Sequence, residues 1–132
     1  MKRYGSTGNR AGVTRPLTVT EESLVALLLR AGLGTPASRC LAALLRGGWW
    51  TSGDAVAATG LAQPDVSAGM RDLVKRGAAE VEKVPREGRG RPALRHRAAP
   101  DALERALASR RAELMAGLAV LDEVAARVAR LR

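Results

Sequence analysis

Residues 51–77 decide the fold, and they read TSGDAVAATGLAQPDVSAGMRDLVKRG. Thr51, followed three residues later by Asp54, is a weak capping box and predicts a short helix that runs to Thr59 and is closed by Gly60. A tight turn at residues 61–63 comes next. The apolar residues after it recur at helical spacing and predict a second helix from about Pro64 to Arg76: Val66, Met70, Leu73 and Val74. This stretch therefore predicts two helices joined by a tight turn.

Two further helices are predicted upstream. The first starts near Thr20, with acidic residues in its first turn where the helix dipole favours them. The second opens with Thr35 as its cap and Pro36 at its first helical position, and it ends at the glycine pair 47–48. Cys40 lies on the apolar side of this second helix, so a buried thiol is expected, with a redox switch as the alternative.

The adjacent tryptophans at positions 49 and 50 have different expected roles. Trp50 directly precedes the Thr51 cap and is expected to pack beneath the following helix. The role of Trp49 stays open, between base stacking, a partner surface and the core.

Downstream of Gly77 the apolar period changes from 3.6 to 2. This change predicts a strand at Ala79–Val84, a loop at Pro85–Pro92 (PREGRGRP) and a returning strand at Ala93–Ala98. The three segments form a hairpin with an arginine-rich tip. Its loop is longer than a tight turn needs, and long loops are often functional.

The C-terminal segment predicts one long amphipathic helix. At ~1.5 Å per residue, about 32 residues span roughly 48 Å, whereas a domain of this size is only ~25–30 Å across. The overhanging apolar stripe predicts a homodimer packed about a two-fold axis through Leu103, Leu107, Leu114, Leu118, Leu121, Val124, Val128 and Leu131.

Composition limits the possible functions. The chain has 132 residues and no Phe, with 22 Lys and Arg against 13 Asp and Glu, for a net charge of +9. The charge is concentrated in residues 1–19, with four basic side chains and no acidic one, and in residues 83–97, with six basic against one acidic. Such concentrated patches favour a polyanionic partner.

Several classes of protein are excluded by what the sequence lacks. One Cys and one His exclude a disulfide framework and an ordinary zinc site, so no metal and no cofactor is predicted. No carboxylate pair, nucleophile–base set or phosphate loop indicates an enzyme. No signal peptide or membrane span is predicted, so the expected location is the cytoplasm, with the nucleoid as the site of action.

The order of elements and the motifs from about Thr35 to His96 resemble winged helix-turn-helix regulators of the MarR, TrmB and ArsR type. The residues that carry the resemblance are Thr51–Val56, Ala58–Leu61, Gln63–Ser67, Leu73–Gly77 and Glu87–Pro92. One departure is Ala62, where relatives commonly place a Ser or Thr cap. The resemblance implies a mainly helical fold with a small β-hairpin wing and a long C-terminal helix.

The resemblance also implies a sequence-specific regulator that binds double-stranded DNA as a homodimer. Its recognition helix would carry Gln63, Pro64, Ser67, Ala68, Arg71 and Lys75. Its wing would carry Lys83, Arg86, Arg89, Gly90, Arg91 and Arg95, with Lys83 and Arg95 on the stem expected to contact phosphates.

The expected organisation is a flexible basic tail at 1–19, the DNA-binding domain at 20–98 and the dimerisation helix at 99–132. The alternatives are a winged-helix module for protein interaction and a non-specific architectural chromatin protein. The sequence identifies neither a small-molecule effector nor an operator.

Overall fold

The computed structural model describes residues 13–85 and 92–132. In chain order, the elements are α1 (Val19–Arg30), α2 (Thr35–Leu44), β1 (Trp50–Thr51), α3 (Ser52–Thr59), α4 (Gln63–Lys75), β2 (Ala79–Val84), β3 (Ala93–Ala98) and α5 (Ala102–Arg130). The predicted helical domain with a hairpin and a long C-terminal helix is therefore confirmed.

The three strands form one antiparallel sheet in the order β1-β3-β2. Val81 pairs with His96 in the hairpin, and Trp50 pairs with the same His96 from the other side. Strand β1 was not predicted, because two residues are too few to show an alternating pattern. It ties the start of α3 to the hairpin.

The core is built around α2, which packs between α1 and α4. Cys40, Leu41, Ala43 and Leu44 are fully buried in this helix. Trp50 is also fully buried, and its Nε1 donates to the Gly47 carbonyl at 3.0 Å. Trp50 belongs to the same core cluster as Ala55 and Ala58 of α3, which confirms that it packs beneath this helix.

The caps explain where the helices begin. Thr18 and Glu21 form a capping box for α1, so the helix starts at Val19, slightly before the predicted Thr20. Gly34 occupies the cap position of α2, and Thr35, which was predicted as the cap, is the first helical residue instead. The predicted capping box of Thr51 and Asp54 on α3 is confirmed, as is its left-handed Gly60 end.

Part of the predicted N-terminal tail belongs to the folded domain. Val13 and Leu17 pack against the core. The Arg46 guanidinium donates to the carbonyl oxygens of Val13 at 2.6 Å, Arg15 at 2.7 Å and Pro16 at 3.0 Å. The prediction of a flexible tail through residue 19 is therefore wrong for residues 13–19, and residues 1–12 lie outside the described part.

Helix α5 contacts its own domain only near its start. Ala102 and Ala106 are its buried residues, and every residue from Arg111 onward is exposed. Leu103, predicted to lie in the dimer interface, is instead partly buried against the chain's own core. The remainder of the 29-residue helix extends beyond the domain.

Candidate nucleic-acid interface

Helix α4 has one buried face and one exposed face. Val66, Gly69, Met70 and Leu73 are buried. The predicted recognition residues lie on the opposite face, where five are exposed and Ser67 is partly exposed: Gln63, Pro64, Ser67, Ala68, Arg71 and Lys75. The structure therefore brings the predicted set together on one side of one helix.

The start of α4 has no side-chain cap. Ala62 occupies the cap position, and its carbonyl accepts from the backbone N–H groups of Asp65 and Val66, each at 3.0 Å. Gln63 and Pro64 form the first turn, and Pro64 needs no hydrogen bond there. Ala62, Gln63 and Pro64 are all exposed at this end of the helix.

Gly69 lets α4 approach α2 closely, a feature that the sequence analysis missed. A Cβ atom at this position would lie 2.7 Å from both the carbonyl carbon and the oxygen of Pro36, and 3.1 Å from the Cys40 sulfur. Only glycine fits this approach without a shift of backbone. A glycine in the middle of a helix with strong apolar periodicity is the signal that could have revealed it.

A groove of about 560 Å³ lies between α4 and the hairpin. Its lining combines apolar side chains with two cations, one carboxylate and one imidazole: Ala68, Arg71, Asp72, Val74, Lys75, Val81, Leu94 and His96. Burial lowers the pKa of His96, so the neutral imidazole is favoured. The groove extends the α4 surface onto the wing.

The two stem residues predicted to contact phosphates lie on opposite faces of the hairpin. Lys83 pairs with Leu94 and shares the groove side with it. Arg95 lies on the other face, where it forms an ion pair with Glu82 and its guanidinium carbon is 4.9 Å from the Trp49 ring centre. Arg95 thus contacts Glu82 and Trp49 within the fold. The prediction that it lies beside Lys83 as a second phosphate contact is therefore wrong.

Trp49, whose role was left open, packs against this outer face of the sheet. Arg97 stacks on the same ring at 4.5 Å and donates to Glu80 at 2.7 Å. This arrangement of cations over an aromatic ring stabilises the sheet. The wing-tip residues Arg86, Arg89, Gly90 and Arg91 lie outside the described residues.

The cationic side chains of the helical domain differ in whether they have a partner within the fold. Arg39, Arg46, Arg76 and Arg110 each form an ion pair with a carboxylate. Within residues 13–85 and 92–132, by contrast, Arg71 and Lys75 on α4 have no hydrogen bond or ion pair. The exposed face of α4 therefore carries cations that are available to an outside partner.

Cys40 faces the junction of α2 and α4. It is fully buried, and this burial raises the pKa of its thiol to about 12. The thiolate is the reactive form of cysteine. The structure therefore favours the buried, unreactive thiol over the redox switch.

No helix in the described part of the chain combines the length and apolar character needed to cross a membrane.

Comparisons with known proteins show the fold. No family model matches the chain, and no curated protein matches it. The structure of TrmBL2, an archaeal chromatin protein that shows a novel mode of DNA binding, is similar at a TM-score of 0.62 and 18% identity, over 84% of this chain and 41% of that one. A second structure, of a transcriptional regulator, is similar at a TM-score of 0.58 and 24% identity, over 82% of this chain and 71% of that one.

The chain thus spans less than half the length of the TrmBL2 chain that it matches. At sequence identities of 18% and 24%, the similarity to these two structures shows the fold alone. Helices α3 and α4, the hairpin of β2 and β3, and the small antiparallel sheet together make the fold a winged helix with a long C-terminal helix.

Proposed function

We propose that this protein is a transcription regulator that binds double-stranded DNA with α4 in the major groove. The observation that carries the proposal is the exposed face of α4, on which Gln63, Arg71 and Lys75 have no side-chain partner among the described residues. An exposed cation that the fold does not use is available for DNA phosphates or base edges.

The residue types on this face suit base recognition. Gln63 can pair with N6 and N7 of adenine, and Arg71 with O6 and N7 of guanine. Ser67 and Ala68 are small and allow the helix to enter the groove deeply. Lys75 and Lys83, on the two sides of the groove, would then hold phosphates.

In this proposal, the wing makes the second contact with DNA. Arg89, Gly90 and Arg91 at its tip, with Arg86, would reach the minor groove, where arginine benefits from the negative potential. The similarity to TrmBL2 and to a transcriptional regulator supports a DNA-binding role. We assign the chain to the broad MarR, TrmB and ArsR type within this proposal.

The protein is proposed to act as a homodimer through α5. Seven apolar residues on its exposed stripe are 43–84% exposed in the single chain: Leu107, Leu114, Leu118, Leu121, Val124, Val128 and Leu131. Full burial of one such side chain contributes roughly 1.5–3 kcal/mol. A second copy packed two-fold along this stripe would cover it and set the distance between two α4 helices.

Two substitutions test the recognition face. Gln63→Ala and Arg71→Ala should each cost ~1–3 kcal/mol on a DNA site selected by the wild-type protein and much less on random duplex. Arg30→Ala is the control, because it removes the same charge from α1, on the other side of α2. Equal losses on both duplexes would place the interface elsewhere.

A second candidate, a non-specific architectural chromatin protein, is favoured by the similarity to TrmBL2. Footprinting of bound genomic fragments separates the two. Discrete palindromic sites are expected for a regulator, and uniform coverage for a chromatin protein. No retained DNA would support a module for protein interaction instead.

A further inference from the structure

A group of polar contacts joins α4, α5 and the end of α1. The Arg76 guanidinium, at the end of α4, pairs with Asp72 at 3.1 Å and with Glu113 of α5 at 3.1 Å. Arg110 donates to the same Glu113 carboxylate at 3.2 Å and to the Ala31 carbonyl at the end of α1 at 3.0 Å. Glu113 therefore bridges two arginines that belong to different elements.

This junction is the last point at which α5 is held by its own domain. The buried contacts of α5 end at Ala106, and both of its buried residues are alanines with little side-chain surface. Arg76 adds a contact to Ser109 at 3.3 Å, one turn before Glu113. In the described part of the single chain, no residue after Glu113 bonds to another element, and the Glu123–Arg127 pair lies within α5 itself.

Gly32 makes room for the junction. It has a φ of +96°, and a Cβ atom there would lie 2.5 Å from the Arg110 Nε. Glycine is therefore needed here for two reasons: the turn after α1 requires a positive φ, and the Arg110 side chain occupies the space that a Cβ atom would take. The backbone is thus shaped to receive an arginine from α5.

We propose that Glu113 is a positioning residue that, with Arg76 and Arg110, fixes the direction of α5 relative to the recognition helix α4. The consequence for DNA rests on the proposed function. Because a helix rises ~1.5 Å per residue, the 24 residues that follow Ala106, up to Arg130, form an arm of about 36 Å. A swing of about 10° at its base would move the far end by roughly 6 Å, close to two base-pair steps at ~3.4 Å each.

The contacts around Glu113 are several, and they come from α4, α5 and the end of α1. A single surface ion pair constrains a protein weakly, whereas several charges joined in a network constrain it more. Here Oε1 of the Glu113 carboxylate accepts from both arginines, and the Arg76 side chain is only 11% exposed. Loss of Glu113 leaves Arg76 and Arg110 without a common partner. Only the Arg76–Ser109 and Arg110–Ala31 contacts described above would then hold α5 beyond Ala106, so its direction is expected to vary more.

Distance measurement between spin labels tests the proposal without DNA. Labels are placed through Ala68→Cys on α4 and Ala126→Cys on α5, and the labelled chain is diluted into unlabelled protein so that intramolecular distances dominate. The native Cys40 is fully buried and is expected to take no label. Glu113→Gln should at least double the width of the distance distribution, while the melting temperature stays nearly unchanged.

The control is Glu123→Gln, the same substitution further along α5, where the carboxylate pairs with Arg127 and with no other described residue. It should leave the width unchanged. Arg110→Lys keeps the charge but cannot span both Glu113 and the Ala31 carbonyl, so it should broaden the distribution as well. An unchanged width in Glu113→Gln and Arg110→Lys would overturn the proposal.

The same labels separate this proposal from the proposed function. Undiluted protein labelled only at Ala126→Cys reports distances between copies. If such distances and DNA binding are both absent, the proposed function fails, while the intramolecular result still decides whether Glu113 fixes the arm.

Discussion

Arg46 shows how much of the positive charge serves the fold. Besides the carbonyl oxygens of the N-terminal segment, its guanidinium donates twice to the Glu21 carboxylate, at 2.7 and 2.9 Å. The Arg46 side chain is only 7% exposed. Arg46 contributes to the net charge of +9, but its partner Glu21 lies 25 residues away and is recognisable only from the fold.

Replacement of Glu21 by Gln should make the free energy of unfolding less dependent on pH in the acidic range. The contact with Arg46 lowers the pKa of Glu21 to about 2 from its usual 4.5. A carboxyl with a lowered pKa stabilises the folded state above its unfolded pKa, and this contribution is lost as the pH falls toward 2. Because Gln keeps the capping geometry, Glu21→Gln should cost about 2 kcal/mol at pH 7 and little near pH 2.

Urea unfolding at several pH values measures this difference. Glu22→Gln is the neighbouring control, since the Glu22 carboxylate pairs with Arg39 but is 47% exposed. Its effect at pH 7 should be smaller. A destabilisation by Glu21→Gln that is constant from pH 7 to pH 2 would contradict the assignment.

Gly69→Ala should destabilise the protein by about 1–3 kcal/mol, because the added methyl group would overlap the Pro36 backbone. Gly53→Ala is the control, since Gly53 is also helical and its Cβ would have only an ordinary contact at 3.9 Å. That change should stabilise by about 0.5 kcal/mol through helix propensity. Equal effects on the free energy of unfolding would show that α2 and α4 are not in close contact.

At the scale of elements, local signals predicted most of the fold. The Thr51 capping box, the helical period of α4 and the alternation of β2 act within a few residues, so they are visible in the sequence. Strand β1 and the junction at Glu113 depend on residues far apart in the chain. Their partners, His96 and Arg76, could be found only after the fold had placed them.

The apolar stripe of α5 gives a prediction for the dimer. Leu114 is 51% exposed in the single chain. Leu114→Lys should therefore leave the fold of the domain intact but weaken self-association by 100-fold or more, since burying a leucine contributes roughly 1.5–3 kcal/mol in each copy.

Ala116→Lys is the matched control, because two residues at about 100° each place Ala116 on the opposite side of the helix. Sedimentation equilibrium at micromolar concentration measures both. The wild type and Ala116→Lys should have twice the chain mass of 13.9 kDa, and Leu114→Lys the mass of one chain. A wild-type protein with the mass of a single chain would contradict the dimer.

For the whole molecule, many of the arginines are paired within the fold. Carboxylates from α1, α4, α5 and the hairpin neutralise the arginines that hold these elements together. The cations left without partners in the described part of the chain include Arg71, Lys75 and Lys83, which lie around the groove between α4 and the wing. These three cations are therefore a part of the net charge of +9 that is expected to attract DNA to the groove.

The salt dependence of DNA binding tests the central claim most directly. Bound phosphates release counterions, so a dimer with six or more phosphate contacts should lose ~10³-fold or more in affinity between 50 and 200 mM salt. Fluorescence anisotropy of a labelled duplex titrated with the full chain measures this change. A steep loss is the predicted result, and no binding at 50 mM salt, or an affinity independent of salt, would contradict the account.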